Sequence, residues 1–285
     1  MNRHWMTNVL ICWSLQQSVS IVCAQDMKRP SIFGVAHVAF YASDLQAAVN
    51  LYTKTLGFEE LYSFKGKDGS KKTAVVKIND EQYIELIAGE PKNDGRLSHI
   101  AFYTDNARAM LNYLAAKGIP VPEKIDKGRA GNLAFTIMDP DSHTVEIVQY
   151  EPDSWTSREK GKSIPESRIG THIEHIGVTT RDEERAYQFY SDILGFEGGK
   201  KLRVPDGEDR IEFGVYRKPP TPEFRGSRNH ICLVVPDFQK AVARIKERDP
   251  SIPIETHVLQ KKNWHANLYD PDGTRIELVE RTEPN

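Results

Sequence analysis

Four histidines and four glutamates recur in this chain in a pattern that suits a divalent metal. His37, His99, His175 and His230 each lie inside a short apolar stretch (AHVAFY, SHIAFY, EHIGVT and NHICLVV). Glu85, Glu146, Glu212 and Glu277 each interrupt another, in YIELI, TVEIV, RIEFG and RIELV. A carboxylate in such surroundings is costly unless it is paired, hydrogen-bonded or metal-bound. For any one strand taken alone, a solvated sheet face is the better explanation of the glutamate. The histidines tip the balance, because imidazole and carboxylate together suit Zn, Ni, Fe or Mn. The interval from histidine to glutamate agrees to within one residue in the first, second and fourth cases, and is clearly shorter from His175 to Glu212.

The segments around these residues repeat. Residues 34–58, 98–119, 174–196 and 229–249 each read as a strand with a central histidine, an acidic residue six or seven positions on, and an amphipathic helix. Asp44, Asp105, Asp182 and Asp237 are placed to open those helices. Leu45, Ala48, Val49 and Tyr52 show the i, i+3, i+4, i+7 stripe of a core-facing helix, and Gly57 ends the first unit. In the first strand, alternation sets His37, Ala39 and Tyr41 on one face against Ala36, Val38 and Phe40. Three strands follow each helix, with turns at Asp139-Pro140-Asp141-Ser142 and Asp270-Pro271-Asp272-Gly273 in the second and fourth units. Each unit is therefore β-α-β-β-β, and the fold class is α+β. The third unit has room for about one strand fewer, so that strand is missing or shortened.

Residues 152–170 are polar, aperiodic and rich in Pro, Ser and Gly, which reads as a linker. The four units then pair as an N-terminal domain over 31–151 and a C-terminal domain over 171–281. With 27% charged residues and a formal net charge of −2, nothing in the composition points to nucleic acid or an anionic membrane. No apolar run is long enough to span a bilayer. Residues 1–24 resemble a signal peptide, with Arg3 ahead of an apolar run and Val22 and Ala24 before a cleavage point. Export to a periplasmic or secreted location follows if that leader is used, and a cytoplasmic location if translation starts at Met27. Cys12 and Cys23 fall in the leader, so the mature chain keeps Cys232, read as a small buried hydrophobe.

These features are similar to the vicinal oxygen chelate (VOC) superfamily, the glyoxalase, bleomycin resistance protein and extradiol dioxygenase group. LYTKTLGF, FYSDILGF, DPDSHTVEI and DPDGTRIEL are the most specific strings, and the resemblance spans nearly all of the mature chain. It implies two glyoxalase-like domains with cupped mixed sheets, each able to hold a metal with open positions for two vicinal oxygens. It implies His37, Glu85, His99 and Glu146 as metal ligands of first choice, and His175, Glu212, His230 and Glu277 as a second possible site. Glu212 is in doubt because its unit is short.

The implied cofactor is Zn, Ni, Mn or Fe(II), and the implied partner is a small-molecule substrate; the oligomeric state is left open. The implied reaction is a lyase or isomerase step by metal-stabilised enolate proton transfer, with Glu146 the first and Glu85 the second general base. The alternatives are an Fe(II) ring-cleaving dioxygenase, to which His265 and Tyr269 could contribute, and a ligand-sequestering protein of the bleomycin-resistance type. Export would count against a glutathione-dependent reaction. His143, His172 and His257 are read as solvated turn or linker residues.

Overall fold

A computed structural model describes residues 27–90, 95–215, 229–258 and 264–280. The signal-peptide expectation and Cys12 and Cys23 lie outside them. The first half holds β1 (Gly34–Ala42), α1 (Leu45–Asn50, running into a π-helical turn at Leu51–Thr55), β2 (Glu59–Lys65), β3 (Lys71–Lys77), β4 (Tyr83–Ala88), β5 (Leu97–Tyr103), α2 (Ala107–Ala116), β6 (Asp126–Lys127), β7 (Leu133–Met138) and β8 (Thr144–Gln149). A short helix, α3 (Trp155–Arg158), follows. The second half holds β9 (His172–Thr180), α4 (Glu183–Gln188, with a π-helical turn at Phe189–Ile193), β10 (Glu197–Gly198), β11 (Lys201–Arg203), β12 (Arg210–Val215), β13 (His230–Val235), α5 (Phe238–Arg248), β14 (Glu255–Val258), β15 (Trp264–Tyr269) and β16 (Arg275–Glu280).

Each half forms one eight-stranded mixed sheet. The orders are β2-β3-β4-β1-β5-β8-β7-β6 and β10-β11-β12-β9-β13-β16-β15-β14, so the topology is the same twice. In both, the two histidine strands pair antiparallel at the centre and each glutamate strand runs parallel beside its own histidine strand. That pairing carries the four side chains of each half to the middle of one sheet.

The helix stripe is buried as its spacing predicts: Leu45, Ala48, Val49 and Tyr52 all belong to a core cluster that runs through both halves. Asp44, Asp182 and Asp237 accept from the amides three residues on, which fixes the starts of α1, α4 and α5. The second unit departs from expectation. Asn106, not Asp105, caps α2 by accepting from the Ala109 amide. Gly57 does end the first unit, at φ +76°, where a Cβ would meet the Ser167 carbonyl oxygen at 2.8 Å. The third unit keeps all three of its later strands, but β10 has two residues and β11 three, so the strand is shortened rather than missing. A register shift between Val35 and His37 moves Ala36 away from Val38 and Phe40, and it packs with Ala101 and Val148 instead.

The two Asp-Pro-Asp turns reach across to the opposite half. Asp272 accepts from the Ser43 amide at 2.8 Å and pairs with Arg96 at 3.0 Å, while Asp141 accepts from the Thr180 hydroxyl and the Arg181 amide. Gln82 joins the halves again, accepting from the Ile173 amide at 2.7 Å and donating to its carbonyl at 3.1 Å.

The segment after β8 is docked, not free. Lys77, almost wholly buried, pairs with Asp80 at 2.7 Å and donates to the carbonyls of Glu159 and Lys162. Replacing Lys77 with methionine strands those acceptors and is expected to lower unfolding free energy by about 3 kcal/mol. Urea unfolding of the purified variant measures this directly.

Candidate metal centre

In the N-terminal sheet the register puts His37 on β1 near His99 on β5, with Glu85 on β4 and Glu146 on β8 flanking them. The His37 and His99 Nε2 atoms are 2.9 Å apart. Glu146 Oε2 lies 3.1 Å from the first and 3.4 Å from the second. Ligand bonds of about 2.1 Å to a divalent ion put neighbouring donor atoms roughly 3.0–3.4 Å apart, so these three atoms fit the edges of a coordination shell. Glu85 stands further out, with Oε2 3.9 Å from His99 Nε2. Among the described residues, the ion pairs of Glu85 and Glu146 are all with these two histidines.

The two imidazoles and the Glu146 carboxylate are electrostatically coupled. Burial opposes charging His37, but Glu85 and the bond to Glu146 outweigh it and raise its pKa. His99 is lowered by burial and by the neighbouring His37. Burial pushes Glu146 up, yet the His37 bond and the charges on both histidines leave it below the ordinary value.

The set opens into a cleft of about 290 Å³. Its walls include Tyr62, Phe64, Tyr83 and Trp155, with Arg129 at the Phe64 ring, 4.7 Å from its centroid. Trp155 belongs to the segment read from the sequence as linker. Ser154 caps α3, the Trp155 amide donates to the Ala130 carbonyl, and the indole packs on Tyr62 with centroids 4.1 Å apart. One large aromatic in an otherwise polar stretch is the signal that could have exposed it. Trp155→Ala is expected to raise KM about tenfold or more while leaving metal content unchanged, measured by initial rates beside elemental analysis.

The C-terminal sheet also assembles its four residues. His175 Nε2 lies 3.3 Å from His230 Nε2 and 3.5 Å from both Glu212 and Glu277, and His230 Nε2 lies 3.4 Å from Glu277. Glu212 is therefore brought to its set despite the short unit. His265 reaches Glu277 at 3.3 Å, and Tyr269 lies across from Arg275 in the strand register. His143 is not simply solvated: it bonds to Asp139 at 2.8 Å within its turn. Cys232 is a buried free thiol, as its neighbours suggest. Among the described residues no helix is long and apolar enough to cross a membrane.

A profile of the Glyoxalase/Bleomycin resistance protein/Dioxygenase superfamily matches residues 34–147 and 172–278. The chain belongs to this superfamily. Within it, the chain is similar to glyoxalase I of Saccharomyces cerevisiae, 25% identical over 148 residues, which are 52% of this chain and 39% of that protein. It is 31% identical to the uncharacterized protein YwkD of Bacillus subtilis over 38% of this chain and 96% of that one. Among solved structures, the 2,3-dioxygenase LapB from Pseudomonas sp. KL28 matches with TM-score 0.65 at 14% identity, over 90% of this chain and 96% of that one. The Mn(II)-bound glyoxalase from Novosphingobium aromaticivorans matches with TM-score 0.64 at 17% identity, over 88% and 83%. At these identities the structural matches establish the shared fold of two curled mixed sheets.

Proposed function

We propose that this superfamily member is a divalent-metal-dependent lyase or isomerase that moves a proton beside a carbonyl on a small substrate with two vicinal oxygens. The observation that carries the reading is the convergence of His37 Nε2, His99 Nε2 and Glu146 Oε2 on one point at the edge of an open cleft. These three atoms would hold the cation, with Glu85 standing free of it. A cation there would act as a Lewis acid on a carbonyl oxygen, making the adjacent C–H more acidic.

The remaining work falls to the protein. Glu85 lies outside the tight trio, so its carboxylate is the group placed to take the substrate proton at Oε2 and return it to the neighbouring carbon. In this reading Glu146 serves as ligand, since its carboxylate faces both imidazoles, and Glu85 is the base. Tyr62 stays an O–H donor through the physiological range, since burial and the nearby Glu85 charge raise its pKa. The aromatic walls give the substrate an apolar surface, and Arg129 offers a positive charge towards an anionic part of it.

The test is hydrogen exchange. Protein loaded in turn with Zn, Ni, Mn and Fe(II) is incubated in D₂O with small α-hydroxycarbonyl and 1,2-dicarbonyl compounds and followed by NMR. Metal-dependent exchange at the carbon beside the carbonyl supports the reading. Oxygen consumption by the Fe(II) form with a catechol, and no exchange with any metal, would reject it in favour of ring cleavage.

A further inference from the structure

The two sheets share one strand order and the same pairing around their His/Glu sets, so the neighbours of those residues can be compared position by position. Opposite Glu85 on the neighbouring strand stands Val75; opposite Glu212 stands Lys201. Beside His99 stands Thr144; beside His230 stands Arg275. Across from His99 lies Ala39; across from His230 lies Gly177.

The two cations work against a metal. Arg275 Nη2 is 2.6 Å from His230 Nδ1. A guanidinium carries only donors, so Nδ1 must accept, and a neutral ring then holds its proton on Nε2. Metal-binding histidines use the reverse polarity, with the outer nitrogen donating to a carboxylate or carbonyl and the inner lone pair free. The imidazole of His230 also fills space that any side chain at 177 would need, since a Cβ there would fall 1.7 Å from its Cε1. His175 has the ligand polarity, with Nδ1 bonded to Glu174, but the Lys201 ammonium lies 3.3 Å from its Nε2, as near as His230 itself. Lys201 pairs with Glu212 at 3.0 Å and Arg275 with Glu277 at 3.3 Å, so both carboxylates already face a fixed positive charge. The His175 side chain is 1% exposed, against 13% for its counterpart His37.

We propose that Lys201 and Arg275 are built-in cations that take the place of a metal in the C-terminal sheet, so that His175, Glu212, His230 and Glu277 form a metal-free ion-pair network and the chain binds one divalent ion at most. The spacing of the nitrogens and oxygens alone would admit an ion; the fixed charges and the polarity of His230 exclude it. The inference does not depend on which reaction the N-terminal cleft performs.

Elemental analysis after dialysis against excess Zn, followed by Zn-free buffer, tests this on the full chain. The wild type is expected to hold no more than about one Zn per chain, and His175→Ala combined with His230→Ala is expected to leave that number unchanged. The double variant Lys201→Val with Arg275→Thr, which copies the N-terminal residues, is expected to gain about one further Zn. That gained ion should persist when His37 and His99 are also removed.

Two Zn per wild-type chain, one of them lost with His175 and His230, would overturn the proposal. So would a folded Lys201→Val/Arg275→Thr variant, checked by circular dichroism, that gains nothing. If that variant does not fold, the comparison of wild type with His175→Ala/His230→Ala decides, and any Zn lost there overturns the proposal. A wild type with no Zn at all would sink the N-terminal reading while supporting this one.

Discussion

Replacing His37 and His99 together with alanine is expected to give a folded protein that has lost its divalent metal. Both imidazoles sit on the cleft side of the sheet, outside the core cluster, so their loss removes ligands without opening a core cavity. What remains is Glu146 and the more distant Glu85, and two carboxylates without nitrogen donors hold Zn or Ni far more weakly. Metal content should fall from about one per chain to near zero, with an unchanged circular dichroism spectrum. The same pair makes uptake depend on pH in a definite direction. The pKa of His37 is raised above 6.5 in the metal-free fold, and its proton must leave before Nε2 can bind a metal. Affinity should therefore climb with pH, over a range above that of an ordinary histidine. Metal content unchanged in the double variant would mean that the site had been placed in the wrong sheet.

The second large effect separates the two glutamates. Glu85→Gln is expected to keep the metal and lower kcat by about 10²- to 10⁴-fold, the range for removing a general base. Glu146→Gln is expected to lose most of the metal, because Glu146 Oε2 bridges both imidazoles at 3.1 and 3.4 Å. Elemental analysis beside the exchange rate distinguishes these outcomes. If Glu85→Gln kept full rate while Glu146→Gln kept metal but lost turnover, the roles would be the reverse of those assigned here.

The strand histidines and glutamates were legible because alternation and repetition are local properties, and four copies of one period are hard to produce by chance. The topology follows from them once each unit is recognised as β-α-β-β-β. The cap at Asn106 was misplaced because Asp105 and Asn106 are equally able to accept from a helix amide, and only the chain direction chooses between them. Trp155 was read as linker because its contacts with Tyr62 and Ala130 lie far back in the chain. Lys201 and Arg275 were invisible as intruders for a similar reason. Each looks like an ordinary surface residue at the start of a strand until pairing places it beside Glu212 or His230. Ligand-type residues can be counted from a sequence, whereas the neighbours that decide whether they bind anything are fixed by register.

The most direct test of the central claim is anomalous diffraction from crystals of the native, metal-loaded protein, with data collected on both sides of the metal's absorption edge. One strong peak is expected, bonded to His37 Nε2, His99 Nε2 and a Glu146 oxygen, with none between His175 and His230. A peak in the C-terminal sheet and none beside His37 and His99 would contradict it.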